Sequence, residues 1–270
     1  MYICKMQRNF TDQLNRIVTI NHPPKRIISI VPSQTELLFD LGLDEEVIGL
    51  TKFCIHPEKQ FKAKTKIGGT KKLNMELIRS LKPDLIIGNK EENDQEQVEA
   101  LMQEFPVWMS DISTLEDALV AIGQIGALVN REPEAAYLQH LIEAGFRDLQ
   151  VLALQNGIHQ KMAYLIWKDP YMLAGRNTFI NDLLVRNGLH NVVEQERYPE
   201  LTLNELALLK PELIFLSSEP YPFQEKHVEE IGSVIAGAKV MRVDGEMFSW
   251  YGSRLVKAVQ YLFQLQKELY

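Results

Sequence analysis

The chain has 270 residues, of which 46% are hydrophobic and 24% charged, and a formal net charge of −7. These values fit a globular chain of one large or two ordinary domains, and they lack the basic footprint of a nucleic-acid binder. No stretch reaches the ~20 apolar residues that a membrane-spanning helix needs, and Cys4 and Cys54 form no metal-finger or redox spacing and predict no disulfide.

The segment from Met1 to Pro24 carries Lys5, Arg8, Asp12 and Arg16 with no continuous apolar core between them. It does not fit a secretory signal, and Met-Tyr-Ile-Cys4 lacks the apolar run that precedes a lipid-attachment cysteine. Taken alone, this segment predicts a chain that is not exported. Arg26-Ile-Ile-Ser-Ile-Val31 is a short β-branched strand. Ser33-Gln-Thr-Glu36 then has the spacing of a capping box for a helix to Leu41, with Gly42 as its stop. A second strand follows at Val47-Ile-Gly-Leu50. The lysines at 62, 64, 66, 71 and 72 read as a solvated face. Residues 73–87 combine an amphipathic helix, a Leu-Lys-Pro stop, an acidic residue and an apolar strand. A polar helix over residues 94–104 and a strand at Pro106-Val-Trp-Met109 complete this part. Strands alternating with helices predict parallel pairing through right-handed crossovers.

From Thr114 the pattern becomes helical. One helix runs to Val129, and a second from Glu134 to Gln155 carries Leu138, Leu141, Ile142, Phe146, Leu149 and Leu152 at spacings of three and four. Its length suits a connector. The strand Met162-Ala-Tyr-Leu-Ile-Trp167 then restarts the α/β pattern, and Thr178 caps a helix to Asn187. Residues 201–215 repeat residues 73–87 at a constant offset (201 − 73 = 128; 211 − 83 = 128). A strand at Lys239-Val-Met-Arg-Val243 and a closing helix from Gly252 to Leu269 end the chain. The repeat predicts two similar lobes: residues 1–130, a connecting helix at 131–158, and residues 159–270, with function in the cleft between lobes.

Ligands of open parallel sheets sit beyond the carboxyl ends of the strands. That selects Ser33, the loop Phe53 to His56, Asn89, the loop from Trp167 to Arg176, and Phe248 to Arg254. Tyr171, Phe248, Trp250 and Tyr251 are suited to pack on a flat ligand, with Arg176 and Arg254 answering its anionic groups. Trp167, at a strand end, reads as core. Cys54 and His56, two apart, are placed to point to one side of an extended segment. No Gly-x-Ser-x-Gly elbow, phosphate loop or His-Glu-x-x-His pair occurs.

Four motifs in order resemble the substrate-binding proteins of iron-siderophore, haem and cobalamin ABC importers, the helical-backbone metal receptors. They are Arg26-Ile-Ile-Ser-Ile-Val-Pro-Ser-Gln-Thr-Glu-Leu, the first Leu-Lys-Pro-Asp-Leu-Ile-Ile, Ala174-Gly-Arg-Asn-Thr-Phe-Ile-Asn-Asp-Leu-Leu, and the second Leu-Lys-Pro-Glu-Leu-Ile. The likeness runs over residues 25–265. It implies an α/β class III solute-binding fold, with two Rossmann-like lobes of parallel sheet joined by one long backbone helix. It further implies a monomer that is periplasmic or held at the cell surface and binds a metal chelate. Such a protein has no catalytic residue, no cofactor and no protein metal ligands.

The expected ligand set is Ser33, His56, Asn89, Tyr171, Arg176, Phe248, Trp250, Tyr251 and Arg254. Where cobalamin-type members carry tryptophans after the first-lobe strands, this chain has Thr70 and Asn89. Glu76 and Glu205 correspond to the two glutamates that dock on the membrane permease dimer, with Asn204 standing at the strict repeat position of Glu76. Two other readings accompany this one. One is an intracellular chelate- or corrinoid-binding protein without a transporter. The other is a metal chelatase using His56 to take protons.

Overall fold

In the computed structural model, residues 6–156 and 159–269 are described. Cys4, and with it the expectation that the first residues form neither a leader nor a lipid-attachment site, lies outside them, as do residues 157 and 158 at the end of the expected connector. Among the described residues no helix is long and apolar enough to cross a membrane.

The first described element is a hairpin of β1 (Met6–Thr11) and β2 (Ile17–His22), paired antiparallel with Met6 opposite His22. Sequence reading passed over it because β1 is polar and almost wholly exposed. Only β2 alternates, burying Val18, Ile20 and His22. Asp12 shapes its turn, accepting the backbone N–H groups of Leu14 and Arg16 at 3.0 and 2.9 Å while Asn15 takes the left-handed conformation.

The elements that follow are β3 (Ile27–Ser29), α1 (Pro32–Asp40), β4 (Val47–Leu50), α2 (Glu58–Ala63), β5 (Thr65–Lys66), α3 (Met75–Leu81), β6 (Leu85–Asn89), α4 (Gln95–Met102) and β7 (Val107–Ser110). Two helices come next, α5 (Leu115–Leu128) and α6 (Glu132–Asn156). The remaining elements are β8 (Lys161–Trp167), β9 (Met172–Leu173), α7 (Phe179–Arg186), β10 (His190–Asn191), α8 (Leu203–Leu208), β11 (Leu213–Ser217), α9 (Glu225–Val234), β12 (Lys239–Val243), α10 (Glu246–Ser249) and α11 (Leu255–Leu269).

Packing divides the chain into two units. The first comprises the described residues up to Ile112, then Glu116–Leu141 and Tyr251–Arg254. The second comprises Ser113–Leu115, Ile142–Trp250 and the residues from Leu255 on. α6 thus contributes its first part to one unit and the rest to the other.

The first unit holds a parallel sheet in the order β5-β4-β3-β6-β7. Ile27, Ile28, Leu85, Ile86 and Ile87 are fully buried, as expected of strands covered on both faces. The second unit holds the order β10-β8-β11-β12, also parallel, with β9 added antiparallel to β8. The α/β class with parallel sheets is therefore the one expected. In each sheet the winding direction reverses beside the first strand, between β3 and β6 and between β8 and β11. Those reversals place a crevice at the carboxyl ends of the two strands concerned.

The repeat has a physical cause in both units. Lys82 and Lys210 end their helices in the left-handed conformation, at φ 47° and 52°, and proline then blocks further winding. The acid that follows ties its strand to the central one. The Asp84 carboxylate accepts the backbone N–H groups of Lys25 and Arg26 at 2.9 and 2.7 Å, and the Glu212 carboxylate accepts that of Lys161 at 2.9 Å. The two helix starts match as well, with Asn74 and Thr202 at the N-caps of α3 and α8.

The capping box expected at Ser33 is not formed. Pro32 occupies the first helical position and Val31 the N-cap, so Ser33 falls inside the first turn and Glu36 turns to another partner. The chain does make this motif at Thr202 and Glu205. The last helix starts at Leu255, three residues later than expected.

Candidate ligand-binding surfaces

At the carboxyl edge of the first sheet the reversal point is filled by the chain's own side chains. Asn89, fully buried, donates from Nδ2 to Ser110 Oγ at 2.9 Å and accepts the N–H groups of Glu91 and Glu92 at Oδ1. Asn93 closes the crevice from above. Its Nδ2 donates to the carbonyls of Ile30 (3.0 Å) and Thr70 (3.1 Å), and its Oδ1 accepts Asn89 N–H at 2.8 Å. Gly88 permits this approach, since a Cβ there would stand 2.8 Å from Asn93 Oδ1. Ser33 is buried, its Oγ without a hydrogen-bond partner among the described residues. Neither Ser33 nor Asn89 presents a side chain at the surface, contrary to expectation.

The exposed apolar groups on this edge lie in the loop after β4, where Phe53 is 50% and Ile55 43% exposed. Lys52 Nζ stands 5.0 Å from the Phe53 ring. Cys54 points the other way, buried between Thr35 and Thr51 at 3.1 Å from each hydroxyl, and burial pushes its thiol up to about 11. His56, two residues on, is half-buried.

Two further expected ligand contacts turn inward in this unit. Tyr251 is buried and donates its hydroxyl to Glu92. Arg254 is buried against Glu36, with Nε and Nη2 donating to the two carboxylate oxygens at 2.7 and 2.9 Å. Its charge is answered within the protein, not by a ligand carboxylate.

The carboxyl edge of the second sheet is different. Trp167, read as core from its strand position, is 38% exposed. Its ring meets Tyr221 edge-on at 5.6 Å, and Tyr221 packs on Phe223 (4.7 Å) and His227 (5.6 Å). Tyr171 lies beside this group and donates to Glu230 at 2.8 Å, while Lys168 pairs with the same carboxylate at 2.5 Å. Hydrogen bonds from Lys168 and Tyr171 hold Glu230 below the usual carboxylate range, and burial together with Glu230 pushes the Tyr171 hydroxyl up to about 12.

A cavity of about 510 Å³ adjoins the ends of β11 and β12, lined by Ser218, Glu219, Arg242, Val243, Asp244 and Glu246. Glu219 is raised above its ordinary range, chiefly by burial, and accepts Ser249 Oγ–H and Trp250 Nε1–H at 2.9 Å. Trp250 is thereby drawn inward. Phe248 is fully buried among Tyr164, Phe215 and Tyr261, so its role is core packing and not ligand contact.

Arg176 is carried away from this edge. Because β9 runs antiparallel to β8, with Leu173 opposite Leu165 and Ala174 N–H bonded to Tyr164 O, each further residue moves toward the amino end of the sheet. Arg176 ends exposed beside Glu194 at 3.4 Å, next to a second cavity of about 550 Å³ lined by Lys161, His190, Val192, Glu194, Gln195 and Leu209. Sequence reading had no signal for this two-residue reversal.

His227 gives the aromatic group a pH dependence. Its Nδ1 accepts Gln224 N–H at 2.8 Å, which leaves the ring proton on Nε2, facing the Tyr221 hydroxyl oxygen at 3.4 Å. Burial, then the nearby Lys168 and Lys226, hold its pKa below the ordinary histidine value. A group lowered on folding binds its proton better in the unfolded chain, so neutral His227 contributes fully above the ordinary histidine range, and the contribution is lost as pH falls through the lowered value. The melting temperature is therefore expected to fall on acidification from pH 7.5 to 5 more steeply than in His227→Asn, which keeps an acceptor without the titration. Equal slopes would contradict this.

Glu76 stands exposed in the first turn of α3. Glu205 occupies the third position of α8, where its carboxylate accepts the Thr202 N–H and hydroxyl at 2.8 Å, bonds that lower its pKa.

Two α/β units with parallel sheets and side chains gathered at the carboxyl edges define the class of a bilobal binding fold. The chain belongs to the periplasmic binding protein family, whose profile matches residues 27–233. It is 27% identical over 266 residues to an uncharacterized ABC transporter substrate-binding lipoprotein, YvrC, of Bacillus subtilis, covering 93% of this chain and 82% of that protein. Its fold is that of the periplasmic vitamin B12 binding protein BtuF of Vibrio cholerae, with a TM-score of 0.78 at 20% identity over 91% of this chain and 98% of that one. It is equally that of the periplasmic catecholate-siderophore binding protein VctP of the same organism, with a TM-score of 0.78 at 14% identity over 97% and 100%.

Proposed function

We propose that this chain is the solute-binding component of an ABC importer, that it holds a metal chelate, and that it performs no covalent chemistry on it. Membership of the periplasmic binding protein family supports the role, and the chelate-binding relatives support the ligand class. The observation that carries the reading is the aromatic group of Trp167, Tyr171 and Tyr221, set where the second sheet reverses its winding and where parallel sheets take their ligands.

Of the expected ligand residues, His56 and Tyr171 keep a place in this reading, joined by Phe53, Ile55, Trp167 and Tyr221. Glu76 and Glu205 are the proposed contacts to the permease. Glu76 offers its carboxylate directly, whereas Glu205 has to release Thr202 or share it. The site of action on this reading is the periplasm or the cell surface. Calorimetric titration with haem, cobalamin, a ferric tris-catecholate and a ferric tris-hydroxamate tests the proposal. Micromolar or tighter binding of at least one, worth roughly 8 kcal/mol, is expected; binding of all four weaker than about millimolar, roughly 4 kcal/mol, would overturn it.

A further inference from the structure

We infer that Trp167, backed by Tyr221, is the specificity-determining surface of the second unit, and that it selects a flat conjugated chelate, a metal held in a planar porphyrin, over chelates built from catecholate or hydroxamate arms. The inference rests on the proposed function and names the ligand class within it.

Position is the first support. Trp167 ends β8 and Tyr221 follows β11, the two strands between which the second sheet reverses, so the pair stands at the mouth of the crevice where such sheets bind ligands. Exposure is the second. Of the chain's three tryptophans, Trp108 is fully buried and Trp250 nearly so, while Trp167 is 38% exposed.

The third support is preorganisation. Tyr221 is fixed by its backbone N–H to Ile166 O, by its hydroxyl at His227, and by Phe223 behind it. A large ring held in advance binds a flat partner with little ordering cost. Charge is the fourth. The adjoining cavity sets Glu219, Asp244 and Glu246 against the single Arg242, which already faces Glu225 at 3.5 Å, and Lys168 is engaged by Glu230. A ferric tris-catecholate carries several negative charges and meets carboxylates here. A ferric tris-hydroxamate presents aliphatic arms with no π face to stack. A porphyrin can turn its open conjugated face to the indole and keep its peripheral carboxylates away from this edge, whereas the corrin of cobalamin carries axial groups on both faces.

The test is titration of the wild-type chain, Trp167→Ala and Trp167→Phe with the four chelates used above, following calorimetric heat and intrinsic fluorescence. The wild type is expected to bind haem at least tenfold tighter than either siderophore type. Trp167→Ala should lose about tenfold or more in that affinity, while Trp167→Phe, which keeps a ring, should stay within about threefold. Tighter binding of a siderophore type or of cobalamin than of haem by the wild type overturns the inference alone, and so does unchanged haem affinity in Trp167→Ala. Failure of the wild type to bind any of the four overturns the proposed function as well.

Discussion

Replacing Glu36 by alanine is expected to lower the unfolding free energy by about 3–5 kcal/mol, because it strands a buried guanidinium. The two charged side chains are almost completely buried, 218 residues apart in sequence, and joined by two parallel bonds. Arg254→Ala should cost a similar amount by leaving the carboxylate unpaired. Glu36→Leu combined with Arg254→Met should recover much of the loss, since the pair's own attraction only partly exceeds its desolvation cost. Urea unfolding of the three variants checks this. A loss under about 1 kcal/mol in either single variant, the level of a solvated surface pair, would show that the pair is not buried as described.

Asn93→Ala should cost roughly 3 kcal/mol, because one side chain serves three groups at the reversal point of the first sheet. Ile30 O and Asn89 N–H are buried there, and alanine leaves both without these bonds. Asn93→Asp keeps the acceptor for Asn89 but brings a carboxylate against the carbonyls of Ile30 and Thr70, so it should be no better. Amide hydrogen exchange gives a local reading, with Asn89 N–H losing protection in Asn93→Ala and keeping more of it in Asn93→Asp, which retains its acceptor. Unchanged protection in Asn93→Ala would mean that another group holds the ends of β3 and β6 together.

The fold was legible wherever local chemistry decides structure. The β-branched strands, the Thr178 cap, the Leu-Lys-Pro stops and the long amphipathic run of α6 all appear close to their expected positions. Elements that depend on a distant partner were not. β1 and β10 are polar, β5 and β9 only two residues long, and pairing rather than periodicity makes them strands.

The site was legible by residue type but not by exposure. Phe248, Trp250 and Tyr251 look available in sequence while Trp167 reads as core, and it is Tyr164, Glu219 and Glu92 that draw the three inward. Arg254 found its counter-charge in Glu36, and Arg176 was displaced by β9. Tyr221 and Phe223 were missed because a loop between strand and helix gives no pattern by which to count them, and His227, in the first turn of α9, because it forms no ligand spacing with another histidine.

The most direct measurement of the central claim is competition dialysis of the purified chain, unfolded and refolded to strip any bound solute, against equal concentrations of haem, cobalamin, a ferric tris-catecholate and a ferric tris-hydroxamate. The account predicts retention of one chelate molecule per chain, released chemically unchanged. Retention of none, or conversion of a metal-free porphyrin and a divalent metal to the chelate by the protein, would contradict it.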